Sequence, residues 1–149
     1  MKDELSHLVH QLKGKSHPRD LNVEFIRYGE KGFCALLDLF ESSCESENQM
    51  SNALMVMFDM VCKGMPDRSS DLFRLAVSLL CDSRVGVRTA AAKVTVGMLS
   101  LLDGNPNFFD LGDVSKNILA LKLKQALDLK VSKQSEPYIA GYLKKLGHD

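Results

Sequence analysis

Three short motifs contain residue types that ligand or metal sites use, and each lacks a partner that the chemistry requires. Gly14-Lys15-Ser16 matches the end of a phosphate-binding loop, but Val9 stands where that motif needs its first glycine. The stretch Asp103–Asn107 begins like a calcium loop, which then lacks its glycine and its bidentate glutamate. His7 and His10 lie one helical turn apart without a third ligand at a defined spacing. The sequence therefore predicts no metal, no cofactor and no catalytic residue.

Binding is better supported than catalysis, because charged side chains surround the start and the exposed side of one predicted helix. Arg84, Arg88 and Lys93 would hold an acidic ligand through charge-assisted hydrogen bonds. A structural alternative for Arg88 is a pairing with Asp82 in the preceding turn. The candidate partner-binding residues are Arg84, Arg88, Thr89, Lys93 and, as polar positions on an earlier helix, Asp59 and Lys63.

Length and charge limit the kinds of partner. The chain has 149 residues, of which 45% are hydrophobic, as expected for one soluble domain spanning residues 1–149. Nineteen basic residues balance nineteen acidic ones, so the net charge is zero. No global field attracts nucleic acid or anionic lipid, and any charged partner needs a local patch. We therefore expect a protein or peptide partner, no nucleic acid and, by default, a monomer.

The cysteines and the apolar runs indicate the compartment. The four cysteines are widely spaced and form no Cys-x-x-Cys pair, as is typical of free thiols in a reducing environment. No apolar run approaches the roughly 20 residues that span a bilayer, and charged residues follow Met1 directly. We expect neither a membrane span nor a secretory signal, and a cytoplasmic location.

The stretch from Leu72 to Leu102 has the clearest structural pattern. Apolar residues recur at helical spacing up to Leu80, break at Asp82 and Ser83, and resume from Val87. This pattern predicts two amphipathic helices joined by a tight turn. If Leu80 is buried between them, Leu80→Ala is costly, whereas Ser46→Ala, in a predicted polar loop, should cost almost nothing.

The rest of the chain also has helical periodicity and no strand-like alternation. Further helices are predicted at 3–13, 19–28, 31–41, 50–63, 114–129 and from Ser135 to Gly147, with loops at 42–49 and 103–113. The inward residues of the helix at 114–129 are predicted to be Ile118, Leu119, Leu123, Ala126 and Leu127. Five of the seven methionines lie between Met50 and Met65, where they either fill the core or present an adaptable binding surface. The fold class is all-α.

Two motifs carry a resemblance to known repeat families. Starts at Lys31, Ser70 and Val114 give offsets of about 39 and 44 residues, near the period of helical-repeat solenoids. The segment Asp82–Ala91 resembles the turn and second-helix start of HEAT and armadillo repeats, and Gly32–Phe40 is similar to the armadillo glycine and leucine-pair pattern. The resemblance implies a right-handed α-solenoid of about four helix pairs, whose second helices line a concave binding face.

A second resemblance suggests a more specific function. The segment Tyr28–Asp38 is similar to the GTPase-binding and autoinhibitory armadillo region of diaphanous-type formins. The resulting prediction is a non-catalytic protein-protein interaction module that binds a peptide or protein on the second-helix face. The alternatives are a small-GTPase-binding regulatory domain of formin type and a bacterial toxin-neutralising (immunity) protein. An enzyme is the least favoured function.

Overall fold

The computed structural model describes residues 2–14, 19–42, 46–112 and 114–147, and this part of the chain is built from α-helices without a strand. The helices are α1 (Lys2–Gln11), α2 (Arg19–Tyr28), α3 (Glu30–Glu41), α4 (Glu47–Lys63), α5 (Ser69–Ser78), α6 (Val85–Gly104), α7 (Lys116–Leu129) and α8 (Glu136–Lys145), with a 3₁₀ turn at Pro66–Arg68. The all-α prediction is confirmed. The chain divides into two compact units, Met1–Arg68 and Ser69–Asp149, and the single-domain organisation stays a prediction.

In the first unit, α4 packs against α1, α2 and α3. Its apolar residues point in nearly every direction, which is the pattern expected of a helix enclosed on most sides. Met50, Met57 and Met60 are buried, and Met55 and Met65 are half-buried. The flexible thioethers therefore fill the core, and they do not form an exposed binding surface.

Two glycines shape the junction between α2 and α3. Gly29 lies between these helices with a φ of 57°, a left-handed conformation that glycine adopts without steric cost. At Gly32, an added Cβ would lie 2.8 Å from the carbonyl oxygen of Phe25, so only glycine allows the two backbones to approach this closely. Helix packing thus gives a structural reason for both glycines of the Tyr28–Asp38 motif.

The start of α4 differs from the prediction, because the helix begins at Glu47 and not near Met50. Ser46 is its N-cap, and the hydroxyl oxygen accepts a hydrogen bond from the Gln49 N–H at 3.2 Å. The interval 42–49 is therefore not entirely a loop. Composition alone suggested a loop because Asn48 and Gln49 are polar; both, however, donate side-chain hydrogen bonds to carbonyls of the α1 end.

Ser46→Ala is accordingly expected to lower the free energy of unfolding by about 1 kcal/mol, since it removes the acceptor for a helix-terminal N–H. The expectation of almost no cost was wrong in its premise, because Ser46 lies at a helix start. Urea denaturation followed by circular dichroism measures the change. Ser100→Ala is the matched control, because Ser100 is exposed within α6. Equal free energies for the two variants would contradict the cap.

In the second unit, α6 is the central helix and packs against α5, α7 and α8. Most of its residues are buried, including eleven between Val87 and Leu99. Leu80, in the turn between α5 and α6, is fully buried. Phe109 in the loop after α6 packs on Phe73 of α5, with ring centroids 5.0 Å apart. The predicted helix pair is confirmed, and the loop folds back over it.

Two serine caps behave differently. Ser115 caps α7 by accepting from the Ile118 N–H at 3.2 Å, so this helix begins at Lys116 and not at Val114. Ser135, at the predicted start of the last helix, accepts no such bond with its side chain. The Glu136 N–H already donates to the Ser132 carbonyl, so the first turn starts earlier, and the hydroxyls of Ser132 and Ser135 pair with each other.

Candidate functional site

Arg88 lies inside the protein and does not face a ligand. Its side chain is 6% exposed and donates to the carbonyl oxygens of Asp82, at 2.8 Å, Leu129, at 2.8 Å, and Lys130, at 2.7 Å from one nitrogen and 3.0 Å from another. Arg88 thereby joins the turn before α6 to the end of α7. The structural alternative for Arg88 describes its position, with the correction that Asp82 contributes its backbone carbonyl to this bond.

The neighbours of Arg88 are also engaged within the protein. Two nitrogens of Arg84 bond the two carboxylate oxygens of Asp82 at 2.9 and 3.0 Å, and this pairing is the main reason that the pKa of Asp82 is lowered. The Thr89 hydroxyl donates to the Val85 carbonyl and accepts from the Ser132 N–H at 2.9 Å. These residues lie together at the start of α6, and their polar atoms bond to other groups of the second unit.

The other three predicted residues do not complete a site. Asp59 accepts from the Asn22 amide at 2.9 Å and forms an i,i+4 ion pair with Lys63 at 3.2 Å, so it links α2 to α4 in the first unit. Lys93, on α6 in the second unit, is half-buried. The structure describes no hydrogen bond or ion pair for it.

An apolar strip on α7 is exposed where the sequence predicted burial. Ile118, Leu121 and Leu129 are 47%, 58% and 50% exposed, and with Gln125 they occupy one side of the helix. We call these four residues the α7 face. The opposite side, which carries the buried Leu119, Leu123 and Ala126, packs toward α6 and α8. The prediction that Ile118 points inward was wrong, because α7 has apolar residues on two sides and the helices α6 and α8 pack against only one of them.

Lysines surround the α7 face. Lys122 and Lys124 flank it on either side of the helix, and Asp128 is the acidic residue of α7. The four lysines on these flanks and just after the helix end, which we call the lysine border, are Lys122, Lys124, Lys130 and Lys133. Within the described structure, none of these four lysines pairs with a carboxylate. The balanced charge of the whole chain thus conceals a local basic region that composition alone does not reveal.

The turn between α5 and α6 borders the α7 face. The thiol of Cys81 lies 3.7 Å from the side-chain oxygen of Gln125, to which it donates. Cys81 is exposed, as is Cys62 on α4 in the other unit. A ligand covering the α7 face would therefore shield the thiol of Cys81.

Lys130 has a strained backbone at the end of the α7 face. Its φ of 81° makes it the one residue other than glycine with a positive φ in the described chain. A side chain in this region of φ and ψ costs about 1 to 3 kcal/mol, and glycine is the usual residue there. The strain aims the Lys130 carbonyl at Arg88. Glycine would provide the same carbonyl at a lower conformational cost.

A cleft of about 670 Å³ lies at the other end of the second unit, between the end of α6 and the loop after it. Asp103, Asp110 and Lys116 are its charged lining residues. Tyr142 and Lys145 donate to Asp103, each at 3.4 Å. Burial and the Asp103 carboxylate raise the pKa of Tyr142 to about 12, so its phenol stays protonated near neutral pH. Tyr142 and Lys145 thus act as hydrogen-bond donors to Asp103 and join α8 to the end of α6.

Two further kinds of site are a metal centre and a membrane-spanning helix. Among them, no three His, Cys, Asp or Glu side chains are grouped closely enough to hold a metal ion. Helix α6 has the length and composition of a membrane span, with a mean hydropathy of 1.3, contrary to the expectation that no run approaches that length. Because 72% of that apolar window is buried, the central position of α6 in its unit accounts for its composition.

The chain matches no family model, no curated protein and no solved structure. The resemblances of Asp82–Ala91 and Tyr28–Asp38 therefore depend on those residues alone. The structure assigns most of their polar groups and glycines to helix packing. The α7 face with its lysine border is the exposed surface whose composition suits a partner.

Proposed function

We propose that the protein is a non-catalytic protein-interaction module, a short right-handed α-solenoid of HEAT or armadillo type that binds a peptide or protein partner. Support for the repeat comes from the helix order, in which α3, α5 and α7 are the first helices of successive pairs. They begin 39 and 47 residues apart, near the roughly 40 to 47 residues of such repeats. With α1 and α2 this makes four pairs.

The observation that carries the binding function is the α7 face. Single exposed leucines are common on protein surfaces, but here three large aliphatic side chains align on one helix, each about half exposed. Covering them would contribute roughly 3 kcal/mol in total, taking about half of the burial energy of each side chain. An apolar centre inside a charged border is also the usual composition of a protein interface.

The partner is placed on α7 and not on the predicted second-helix face of α6. Arg88 and Thr89 are buried and bonded within the protein, and Arg84 is paired with Asp82. A partner on the second-helix face would therefore have to displace bonds that hold the second unit together. A partner on α7 meets the aliphatic side chains of Ile118, Leu121 and Leu129, which make no such bonds.

Affinity capture from a lysate of the source organism tests this function. The bait proteins are the wild type, an Ile118→Ser, Leu121→Ser double variant and a Val23→Ser control, since Val23 is an exposed apolar residue of α2 in the first unit. We expect a protein retained by the wild type and the control and lost, by about tenfold or more, from the double variant. Equal retention by all three proteins would contradict the assignment to α7.

The identity of a captured protein separates the alternatives. A small GTPase held with a GTP analogue and released with GDP would favour the formin-type regulatory domain suggested by Tyr28–Asp38. A toxin whose activity is blocked by the wild type would favour the immunity protein. Either result would retain a binding function and would replace the general protein-interaction module with a specific one.

A further inference from the structure

We infer that the occupant of the α7 face is an acidic amphipathic helix of the partner protein. This inference rests on the proposed function and specifies the partner's chemistry. It follows from three observations in the second unit: the spacing of the exposed aliphatic residues, the excess of lysines over acidic residues around them and the strained conformation of Lys130.

The α7 face has the length and shape to hold a helix. Ile118 and Leu129 are eleven residues apart, which corresponds to about 16 Å along the helix axis. Their spacing with Leu121 and Gln125 forms a narrow stripe, and the turn containing Cys81 borders it. A partner helix of about three turns, with apolar residues at i, i+3 or i+4, and i+7, would cover this stripe.

The charge around the stripe selects an acidic partner. Residues 114–147 contain seven lysines against the two acidic residues Asp128 and Glu136. Lys122 and Lys124 lie on opposite sides of the stripe, so carboxylates of a docked helix would meet an ammonium group on either flank, with Asp128 beside Lys124 as the one acidic residue of α7. Border charges of this kind accelerate association and reject partners of the same sign.

A protein helix suits the α7 face better than a membrane surface does. Helices that bind lipid bury a broad apolar side, with aromatic residues among its anchors. The α7 face has three aliphatic side chains, with the amide of Gln125 among them, and no aromatic residue. The other apolar side of α7 is already packed within its unit.

Lys130 supplies an independent argument. Its backbone conformation favours glycine, and its carbonyl, not its side chain, bonds to Arg88. Lys130 is exposed and directly follows Leu129 at the end of α7. An acidic partner gives this lysine a role that its strained backbone does not require, because strain of this kind is often retained where function needs the side chain.

Fluorescence anisotropy with two designed peptides tests the inference. Both are helices of about five turns with leucines at i, i+3, i+4 and i+7; the remaining positions are glutamate in one peptide and lysine in the other. We expect the whole protein to bind the glutamate peptide and not the lysine peptide. Raising the salt from about 50 to about 500 mM should weaken binding severalfold. Equal binding of both peptides, or binding of neither, would overturn the inference.

Charge-reversal variants locate the contact. The double variant Lys122→Glu, Lys124→Glu should lower the affinity for the glutamate peptide about tenfold or more, because its new carboxylates repel those of the peptide. The matched control is Lys13→Glu with Lys31→Glu, which changes the net charge equally at exposed positions of the first unit. Its affinity should stay within about twofold of the wild type. An equal loss of affinity in both variants would show only a response to net charge and would contradict binding of the peptide at the α7 face.

Two further readouts separate docking from nonspecific attraction. Bound peptide should slow alkylation of Cys81, which borders the α7 face, and leave Cys62 in the first unit unaffected. Lys130→Gly should raise the urea midpoint, because glycine relieves the strained backbone, and should lower the affinity for the glutamate peptide, because it removes a charge. Protection of both thiols would contradict docking of the peptide beside Cys81. Unchanged peptide affinity in Lys130→Gly would contradict the role given to the Lys130 side chain.

Other occupants give distinct results. Co-sedimentation of the wild type, but not of the Lys122→Glu, Lys124→Glu variant, with vesicles of equal phosphatidylserine and phosphatidylcholine would replace the partner helix with a membrane surface. Dimerisation in light scattering that Leu121→Ser abolishes would replace it with a second copy of the chain.

If lysate capture depends on the α7 face while the glutamate peptide does not bind, the proposed function stands and the acidic helix is wrong. If the glutamate peptide binds but lysate capture does not depend on the α7 face, the partner assignment fails instead.

Discussion

Arg88→Ala is expected to lower the free energy of unfolding by about 3 to 5 kcal/mol. The guanidinium group is almost fully buried and bonds to the carbonyls of Asp82, Leu129 and Lys130. Alanine removes every one of these donors and leaves a space that water fills poorly. Charged donors are costly to lose when the acceptors stay buried. Urea denaturation followed by far-UV circular dichroism measures the change.

Two further arginine variants show whether the bonding geometry is responsible. Arg74→Ala should cost no more than about 0.5 kcal/mol, because Arg74 is exposed and pairs with Asp71 one helical turn away. Arg88→Lys should lose most of what alanine loses, because one ammonium group cannot replace the planar fork across carbonyls from two segments. A loss for Arg88→Ala no larger than that for Arg74→Ala would contradict the structural role.

The same bonds affect how binding is tested. Arg88→Glu would place an unpaired carboxylate among backbone carbonyls, so the variant is expected to unfold. A loss of partner binding in that variant would then report stability and not contact. Variants of Ile118, Leu121 and Lys122 avoid this problem, because their side chains do not hold helices together.

Leu80→Ala is expected to lower the free energy of unfolding by about 2 to 5 kcal/mol. Leu80 is fully buried in the turn that joins α5 to α6. Truncation removes apolar contacts and leaves a cavity that the two packed helices cannot close completely. Thermal and urea unfolding of the purified variant measure the loss.

Leu121→Ala is the control with the same chemical change. Leu121 is 58% exposed, so its truncation should change stability by about 0.5 kcal/mol or less. Leu121→Ala should instead lower the affinity for the glutamate peptide. Leu80→Ala should leave the peptide affinity of the folded fraction unchanged. Equal stability losses in the two variants would contradict the assigned core, and the reverse pattern of binding would contradict the α7 face.

The sequence determined where helices form, because helical periodicity is a local property of the chain. The predicted bounds of α2 agree with the structure, and the central helix pair and its turn are confirmed. Each signal needs only residues within three or four positions of one another. The buried position of Leu80 was also predictable, since it continues the apolar stripe of α5.

Only the tertiary structure decided which side of a helix is covered and which polar group is engaged. Helix α7 has apolar residues on two sides, and the packing of α6 and α8 leaves Ile118 exposed. Arg88 finds its acceptors at Leu129 and Lys130, more than forty residues away, and no local pattern encodes that distance. Likewise, a net charge of zero did not reveal the lysine border. Helix formation depends on near neighbours, whereas burial and binding depend on segments that only folding brings together.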